Sequence, residues 1–517
     1  MTNEATNQPI IFTDDAWIMS EDPPITPEII REKMIRPFEG MPASLWWAVG
    51  DHEVYHHETE IGEIVGDGYD LSELPEFERR KALNFRHLTE TAGGPLTVIS
   101  SLCREAGIEF LPRFRMNSHY AYYAPPYTET IRPGYGRYRQ ENPHLLIGRQ
   151  GENIPEDTID WDIRTGKDYA YPEVRDYAYS MITEMFERFD VDGVEMDFNR
   201  HPGVFRREEA HQNRYLMTDL VRRVRNRLDE VGEERGRHLK LAVRVAPTLA
   251  NAARMGLDVS KWMTDGLVDT VVAGVGWIPF EMPIAEFVEE ARGTGCAVYG
   301  CLEGLRPLVD DSALRAASYR YWEAGADGIY LYNYFTLPPS WIRRTLPELA
   351  DPAKLKTMSK RYEADHADRI QYGGHGGAFR NAVPAAQMPI TLIETSTGRG
   401  PVVNIDVADD VEAARAEGTL GRCTLGVTIE HFAPDDKVDV LLNGDLLAWG
   451  TGRESYMPGG RKWPTLEGEV GLQYDIDSPP LRKGVNEVEI RRKPPATDVG
   501  NQPVVTNVEI TITYQDA

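Results

Sequence analysis

The sequence predicts an eight-stranded α/β barrel followed by an all-β sandwich, and three observations carry that expectation. Between residues 173 and 332, helical and strand-like segments alternate at the spacing of βα units. One strand in that series, Val194-Glu195-Met196-Asp197-Phe198, sets two carboxylates on the same side of a buried strand. Past Ala385 helical periodicity gives way to short strand-like runs parted by Gly, Pro and Asp.

Taken in order, residues 1–40 are polar and Pro-rich and read as an arm lying on the domain that follows. The barrel is expected over residues 41–384 and the sandwich over 385–517. Leu45-Trp46-Trp47-Ala48-Val49-Gly50 is a plausible first strand, with Asp51, His52, Tyr55, His56 and His57 on the loop leaving it. Residues 96–106 form a helix closed by Gly107, and 108–116 form a strand whose far end carries Arg113, Arg115, Asn117 and His119. The stretch from 117 to 171 has little periodicity and many tyrosines. An aromatic loop of that kind serves either as a carbohydrate cleft or as a satellite cluster that packs the loop down.

Residues 173–189 place Val174, Tyr177, Ala178, Met181, Ile182, Met185 and Phe186 at spacings of three and four, one face of a helix. Asp192-Gly193 then turns the chain into the Glu195 strand. Four more helix–strand pairs follow, with strands at 239–246, 268–275, 297–302 and 328–332. A (β/α)8 barrel of the TIM type puts the Glu195 strand fourth and the last one eighth, with a further strand obscure before Ile108. A doubly wound sheet is disfavoured because no Gly-rich phosphate loop follows the first strand. In the last quarter, Val440-Leu441-Leu442-Asn443-Gly444 and Leu481-Arg482-Lys483-Gly484-Val485-Asn486 resemble galactose-binding-like jelly-roll modules.

Composition narrows the function. The chain has 517 residues, 41% hydrophobic, and a net charge of −26, which argues against nucleic acid or an anionic membrane as partner. Cys103, Cys296, Cys301 and Cys423 show neither metal nor disulfide-framework spacing. The N-terminal residues lack the charged and apolar regions of a signal peptide, and no apolar run approaches the ~18–20 residues of a membrane span. The expectation is a soluble, reduced, cytoplasmic protein without a cofactor.

Barrel sites lie at the C-terminal ends of the strands. Those ends offer Glu195 and Asp197 on strand four and Glu303 at the end of the otherwise uncharged seventh strand. Carboxylates facing each other across a barrel mouth are what glycoside hydrolysis needs, one to protonate the leaving oxygen and one to act as nucleophile or base. Asp197, Glu303 and Glu195 are therefore the candidate catalytic set. Trp47, His52, Arg115, Asn117, Asn199, His201, Arg244, Trp277 and Asn333 are the candidate substrate contacts. No metal ligand is assigned.

Glu141-Asn142-Pro143-His144-Leu145, the run Tyr171-Pro172-Glu173-Val174-Arg175-Asp176-Tyr177, and residues 189–197 together resemble the family-10-like glycoside hydrolases of bacteria. The resemblance spans roughly residues 40–340 and implies a barrel and a carbohydrate substrate. Residues 195–201 are also similar to the strand-four motif of family 36 α-galactosidases, which implies Asp197 as nucleophile. Family 10 xylanases carry an Asn-Glu pair on strand four, whereas this chain has Val194-Glu195, so the choice between Glu195 and Asp197 stays open. The sequence thus reads as a glycoside hydrolase acting on an oligo- or polysaccharide. Two rivals are a metal-dependent sugar isomerase or hydrolase, using Glu195, Asp197, His201 and Glu303 as ligands, and a non-catalytic carbohydrate-binding barrel.

Overall fold

The structure, a computed structural model, describes residues 8–51, 54–119, 136–149, 151–156, 158–274, 282–304, 310–365, 387–393, 398–433, 436–448, 452–456, 469–476, 481–494 and 502–515. Eight parallel strands close into a barrel. They are β1 (Ile10–Asp14), β2 (Ala43–Ala48), β3 (Phe110–Arg115), β4 (Gly193–Asp197), β5 (Lys240–Val245), β6 (Thr270–Ala273), β7 (Ala297–Glu303) and β8 (Gly328–Tyr332). Each pairs with its successor, and closure is made by β8 against β1, with Ile10 opposite Ile329 and Phe12 opposite Leu331.

The first strand lies inside the segment that composition marks as an arm, and the Leu45 run is the second strand. Ile10-Ile11-Phe12-Thr13-Asp14 is only five residues long, and nothing periodic precedes it to announce a βα unit. The chain after it is equally part of the barrel: Ile25, Ile30, Met34, Ile35 and Phe38 are buried in the layer outside β1 and β2. Between β2 and β3 there is no further barrel strand among the described residues. Gly50–Asp51, Val54–Tyr55 and Glu63–Ile64 instead form a small three-stranded sheet. Helices Glu76–Ala92 and Pro95–Glu105 then return the chain to β3.

Strand alternation sorts the core into two layers. Ile11, Trp46, Leu111, Ala242, Val272, Tyr299, Cys301, Tyr330 and Tyr332 form the cluster inside the barrel. Residues of the opposite parity, among them Phe12, Leu45, Trp47, Phe110, Met196 and Val243, pack outward against the helices. The helices supply matching stripes. In Arg207–Arg235, for example, Met217, Leu220, Val221, Val224, Leu228 and Val231 recur at spacings of one to four and are buried.

The C-terminal part packs two antiparallel sheets, in line with the expected sandwich. One runs Lys360–Glu363, Val504–Tyr514, Leu420–Glu430, Val470–Asp475, Gly452–Tyr456; the other runs Val402–Val407, Gly484–Arg492, Val438–Leu442, Asp445–Leu446. Asn443 and Gly444 take positive φ (51° and 91°) in the hairpin joining the last two strands, a turn that suits Asn-Gly. Strand Lys360–Glu363 falls in the stretch expected to belong to the barrel, yet it adds to the sandwich through the last strand of the chain. A buried ion pair, Lys360 Nζ to Asp409 Oδ1 at 2.8 Å, lies at this junction, and Asp409 also accepts from the hydroxyls of Tyr362 and Tyr514. No helix among the described residues is long and apolar enough to cross a membrane.

Candidate active site

The period-two pattern of β3, β4 and β5 brings Arg113, Glu195, Asp197 and Arg244 onto the inner face, where register pairs Arg113 with Glu195 and Asp197 with Arg244. All four are buried. Arg113 touches three carboxylates. Its Nε donates to Glu195 Oε2 at 2.6 Å, one terminal nitrogen to Asp197 Oδ2 at 3.0 Å, and the other to Asp15 Oδ1 at 3.0 Å. Arg244 grips Asp197 in a two-pronged contact, Nε to Oδ1 at 3.0 Å and Nη2 to Oδ2 at 2.9 Å. The turn after β4 adds the backbone N–H groups of Asn199 and Arg200, both on Asp197 Oδ1. Five donors therefore converge on one carboxylate, which fills its lone-pair sites.

Glu195 sits one pleat deeper and meets the Tyr330 hydroxyl at 2.9 and 3.1 Å from its two oxygens. The two carboxylates are driven apart in acidity. Burial, with the Asp197 charge, pushes the Glu195 carboxyl up against the pull of Arg113 and Arg244, so it holds a proton at higher pH than usual. Burial also works on Asp197, but there Arg244 and Arg113 outweigh it and hold the carboxyl well below the ordinary range. Tyr332 offers its ring to both cations, with the Arg244 guanidinium 4.2 Å and the Arg113 guanidinium 5.2 Å from its centroid.

At the other side of the mouth, Glu303 ends β7 opposite Tyr332 of β8. The next residue, Asn333, takes φ 64°, and this left-handed turn lets its amide nitrogen donate back to Glu303 at 2.9 and 3.1 Å. Glu303 is 2% exposed. Asp15, just past β1, is the most exposed of the mouth carboxylates, at 18% of its side chain, and is held by Arg113 and by Arg115 Nη2 at 2.6 Å.

The structure sorts the residues that the sequence nominated. Glu195, Asp197, Arg244, Arg115, Glu303 and Asn333 gather at the mouth through the contacts above. Trp47 does not: parity turns it outward into the helix layer, and it is Trp46, 5.7 Å from the Tyr330 ring, that enters the barrel. Asn117 is a latch rather than a free contact. Its Nδ2 donates to the carbonyls of Lys167 and Gly203, and its Oδ1 accepts from the N–H groups of Ser118 and Lys167. Asn199 is similarly engaged, donating to the Gly274 carbonyl while its N–H caps Asp197. His201 is buried, its Nδ1 accepting from the His119 N–H at 3.2 Å. His52 and Trp277 lie outside the described residues. In the aromatic stretch, residues 120–135 also lie outside them, while Tyr138 stacks on Tyr177 at 4.4 Å and Trp161 carries the Arg164 guanidinium at 3.4 Å. That part packs the loop down.

Sequence reasoning missed Asp15, Arg113 and Tyr330 as members of the site. Arg113 was within reach, since it is two residues from Arg115 on the same strand face.

No family model matches the chain, so the resemblance to family-10-like hydrolases gains no support there, and no curated protein matches it. Many solved structures are similar to it. They include a cycloisomaltooligosaccharide glucanotransferase from Paenibacillus sp., 10% identical over 98% of this chain, TM-score 0.35. The chain spans 58% of the length of that protein. The glycoside hydrolase domain of PgaB from Bordetella bronchiseptica is 12% identical, covering 68% of this chain and 99% of its own, TM-score 0.41. A maltogenic α-amylase, AmyB, from Thermotoga neapolitana is 13% identical, covering 95% and 100%, TM-score 0.37.

The ligand set of the metal reading does not converge. Glu195 and Asp197 face guanidinium groups, His201 Nδ1 is engaged by a backbone N–H, and among the described residues no group of three or more His, Cys, Asp or Glu could hold a metal ion.

Proposed function

We propose that the protein is a glycoside hydrolase acting on an oligosaccharide at the C-terminal mouth of the barrel. The observation that carries this reading is the pair of carboxylates ending β4 and β7 at one barrel mouth: Asp197 held ionised by two arginines, and Glu303, which accepts from the Asn333 amide. Glycosidic cleavage uses one ionised carboxylate and one proton donor, and placing them in different environments is how a site divides those roles. Asp197 is assigned the ionised role and Glu303 the proton-donating role. Glu195, deeper and with its carboxyl pushed toward the protonated form by burial, helps hold Arg113 in place.

The saturation of Asp197 favours one variant of this reading. If its five donors stay in place, the ionised partner of Glu303 is Asp15, which has open surface at the same mouth.

The test is reducing-end release from a panel of oligosaccharides by wild type, Asp15→Asn, Asp197→Asn and Glu303→Gln. Glu303→Gln is expected to lose about 10³-fold in kcat or more, together with one of the two aspartate variants. Saccharide binding without turnover by the wild type would instead mark a binding barrel, and neither binding nor turnover would remove the carbohydrate reading altogether.

A further inference from the structure

Where β1 ends, the chain turns through Ala16 at φ 58° into a single tight turn, Trp17–Ser20. Asp14 fixes that turn, its Oδ1 accepting from the Trp17 N–H at 2.8 Å, and the Ser20 hydroxyl donates to the Trp17 carbonyl at 2.6 Å. The indole is left at the rim of the C-terminal face, 42% exposed. Two more rings come to it from other loops of the same face. Phe77, in the first turn of helix Glu76–Ala92, has its centroid 5.9 Å away and is 40% exposed. Phe335, three residues past β8, has its centroid 5.7 Å away on the core side. The buried Lys81 ammonium lies 4.3 Å from the Phe77 centroid, one helical turn along, and steadies that ring from beneath.

Exposed rings grouped in this way are uncommon on a surface that nothing covers. Their placement says what covers them. The two loops that carry Trp17 and Phe335 are the ones that carry Asp15 and Asn333, so the cluster continues directly from the mouth. The rings meet at tilts of 50° and 35°, neither stacked flat nor perpendicular.

We propose that Trp17, with Phe77 and Phe335, is an accessory subsite on which a pyranose ring of a neutral oligosaccharide stacks by its C–H face, outside the reacting bond. This rests on the proposed glycoside hydrolase activity and names where a longer substrate leaves the mouth, over β8 and β1. It also explains why the Asp14 carboxylate and the Ser20 hydroxyl fix the backbone from which one exposed indole projects.

The test compares Trp17→Ala and Trp17→Phe with wild type on neutral hexasaccharides and disaccharides of glucose in α-1,4, α-1,6 and β-1,4 linkage. Binding of the same sugars to Glu303→Gln protein, with and without Trp17→Ala, is measured by calorimetry. Trp17→Ala is expected to raise KM for the hydrolysed hexasaccharide at least tenfold more than for its disaccharide, and to weaken hexasaccharide binding alike, with Trp17→Phe recovering part of both. Equal effects on the two lengths, or none, overturn the subsite while hydrolysis by the wild type leaves the activity standing. Binding that depends on Trp17 without any hydrolysis keeps the subsite and removes the hydrolase reading, and no binding by any sugar removes both. Dissociation of a dimer by Trp17→Ala in sedimentation would assign the rings to a second copy of the chain and overturn the proposal.

Discussion

Asp197→Asn and Glu195→Gln, side by side, test the ionisation of the mouth. An asparagine at 197 must turn its NH2 toward one set of donors. At the Oδ1 position it would face three, Arg244 Nε and the N–H groups of Asn199 and Arg200; at the Oδ2 position it would face two, from Arg113 and Arg244. The second orientation costs less and still strands two buried guanidinium donors, at roughly 1–3 kcal/mol each. The total, about 2–6 kcal/mol, brackets the usual cost of about 3–5 kcal/mol for removing one partner from a buried ion pair. For a barrel of this size that is a loss of roughly 4–7 °C in Tm, at ~2 cal/mol/K of unfolding entropy per residue. Glu195→Gln should cost less than about 1 kcal/mol near pH 6, because the carboxyl already carries its proton there.

The pH dependence of the two variants runs in opposite directions. Glu195 has a raised folded-state pKa, so its stabilising contribution is full below the ordinary carboxylate range and fades as pH rises through the folded value; Glu195→Gln therefore gains on wild type between about pH 5 and 8. Asp197 has a depressed pKa, so its contribution is present above the ordinary range and is lost as pH falls; the deficit of Asp197→Asn should shrink below about pH 4. Denaturant titrations of both variants at about pH 3, 4, 6 and 8, read by tryptophan fluorescence, measure this. If Glu195→Gln costs as much as Asp197→Asn at pH 6, the assignment of the proton is wrong.

Other expectations are simpler. Asn333→Gly should keep the fold, since glycine accepts φ 64°, whereas Asn333→Ala adds about 1–2 kcal/mol of backbone strain; both remove the amide that donates to Glu303 and should lower kcat about tenfold or more, which a thermal melt and a rate measurement separate. Lys360→Met should cost about 3–5 kcal/mol in a denaturant titration by stranding Asp409 among its two tyrosines, and Lys360→Met with Asp409→Leu should recover much of that. Gly193→Ala should impair barrel assembly, seen as loss of soluble protein, because a methyl there would overlap the Lys240 carbonyl across the β4–β5 pairing.

The barrel was legible wherever a helix stripe and a strand followed each other, which covers β4 through β8. β1 was not, because five apolar-leaning residues after a polar start carry no periodicity, and their partner, β8, lies far along the chain. The site was legible where chemistry is unusual for its setting: Glu195 and Asp197 two apart on a buried strand, and a lone Glu303 ending an uncharged one. It failed where orientation decides. Trp46 and Trp47 are adjacent and alike, and only the register of β2 between β1 and β3 says which ring enters the barrel. Asn117, Asn199 and His201 have the right atoms in the right loop, but their partners are backbone groups brought in from distant turns, which no local pattern reveals.

The seam between β8 and β1 also governs when the barrel can form. The Thr13 hydroxyl donates to the Leu331 carbonyl across a separation of 318 residues. At ~5–20 residues per second, on the order of 15–60 s of synthesis pass between the two. Through that interval a sheet of up to seven strands waits with two open edges, each a template for pairing with another nascent chain. Closure of so long a loop also makes the last step slow. Assembly of this protein is thus a race between finishing β8 and intermolecular strand capture, and its yield should fall with crowding of ribosomes on the message more steeply than its equilibrium stability would suggest.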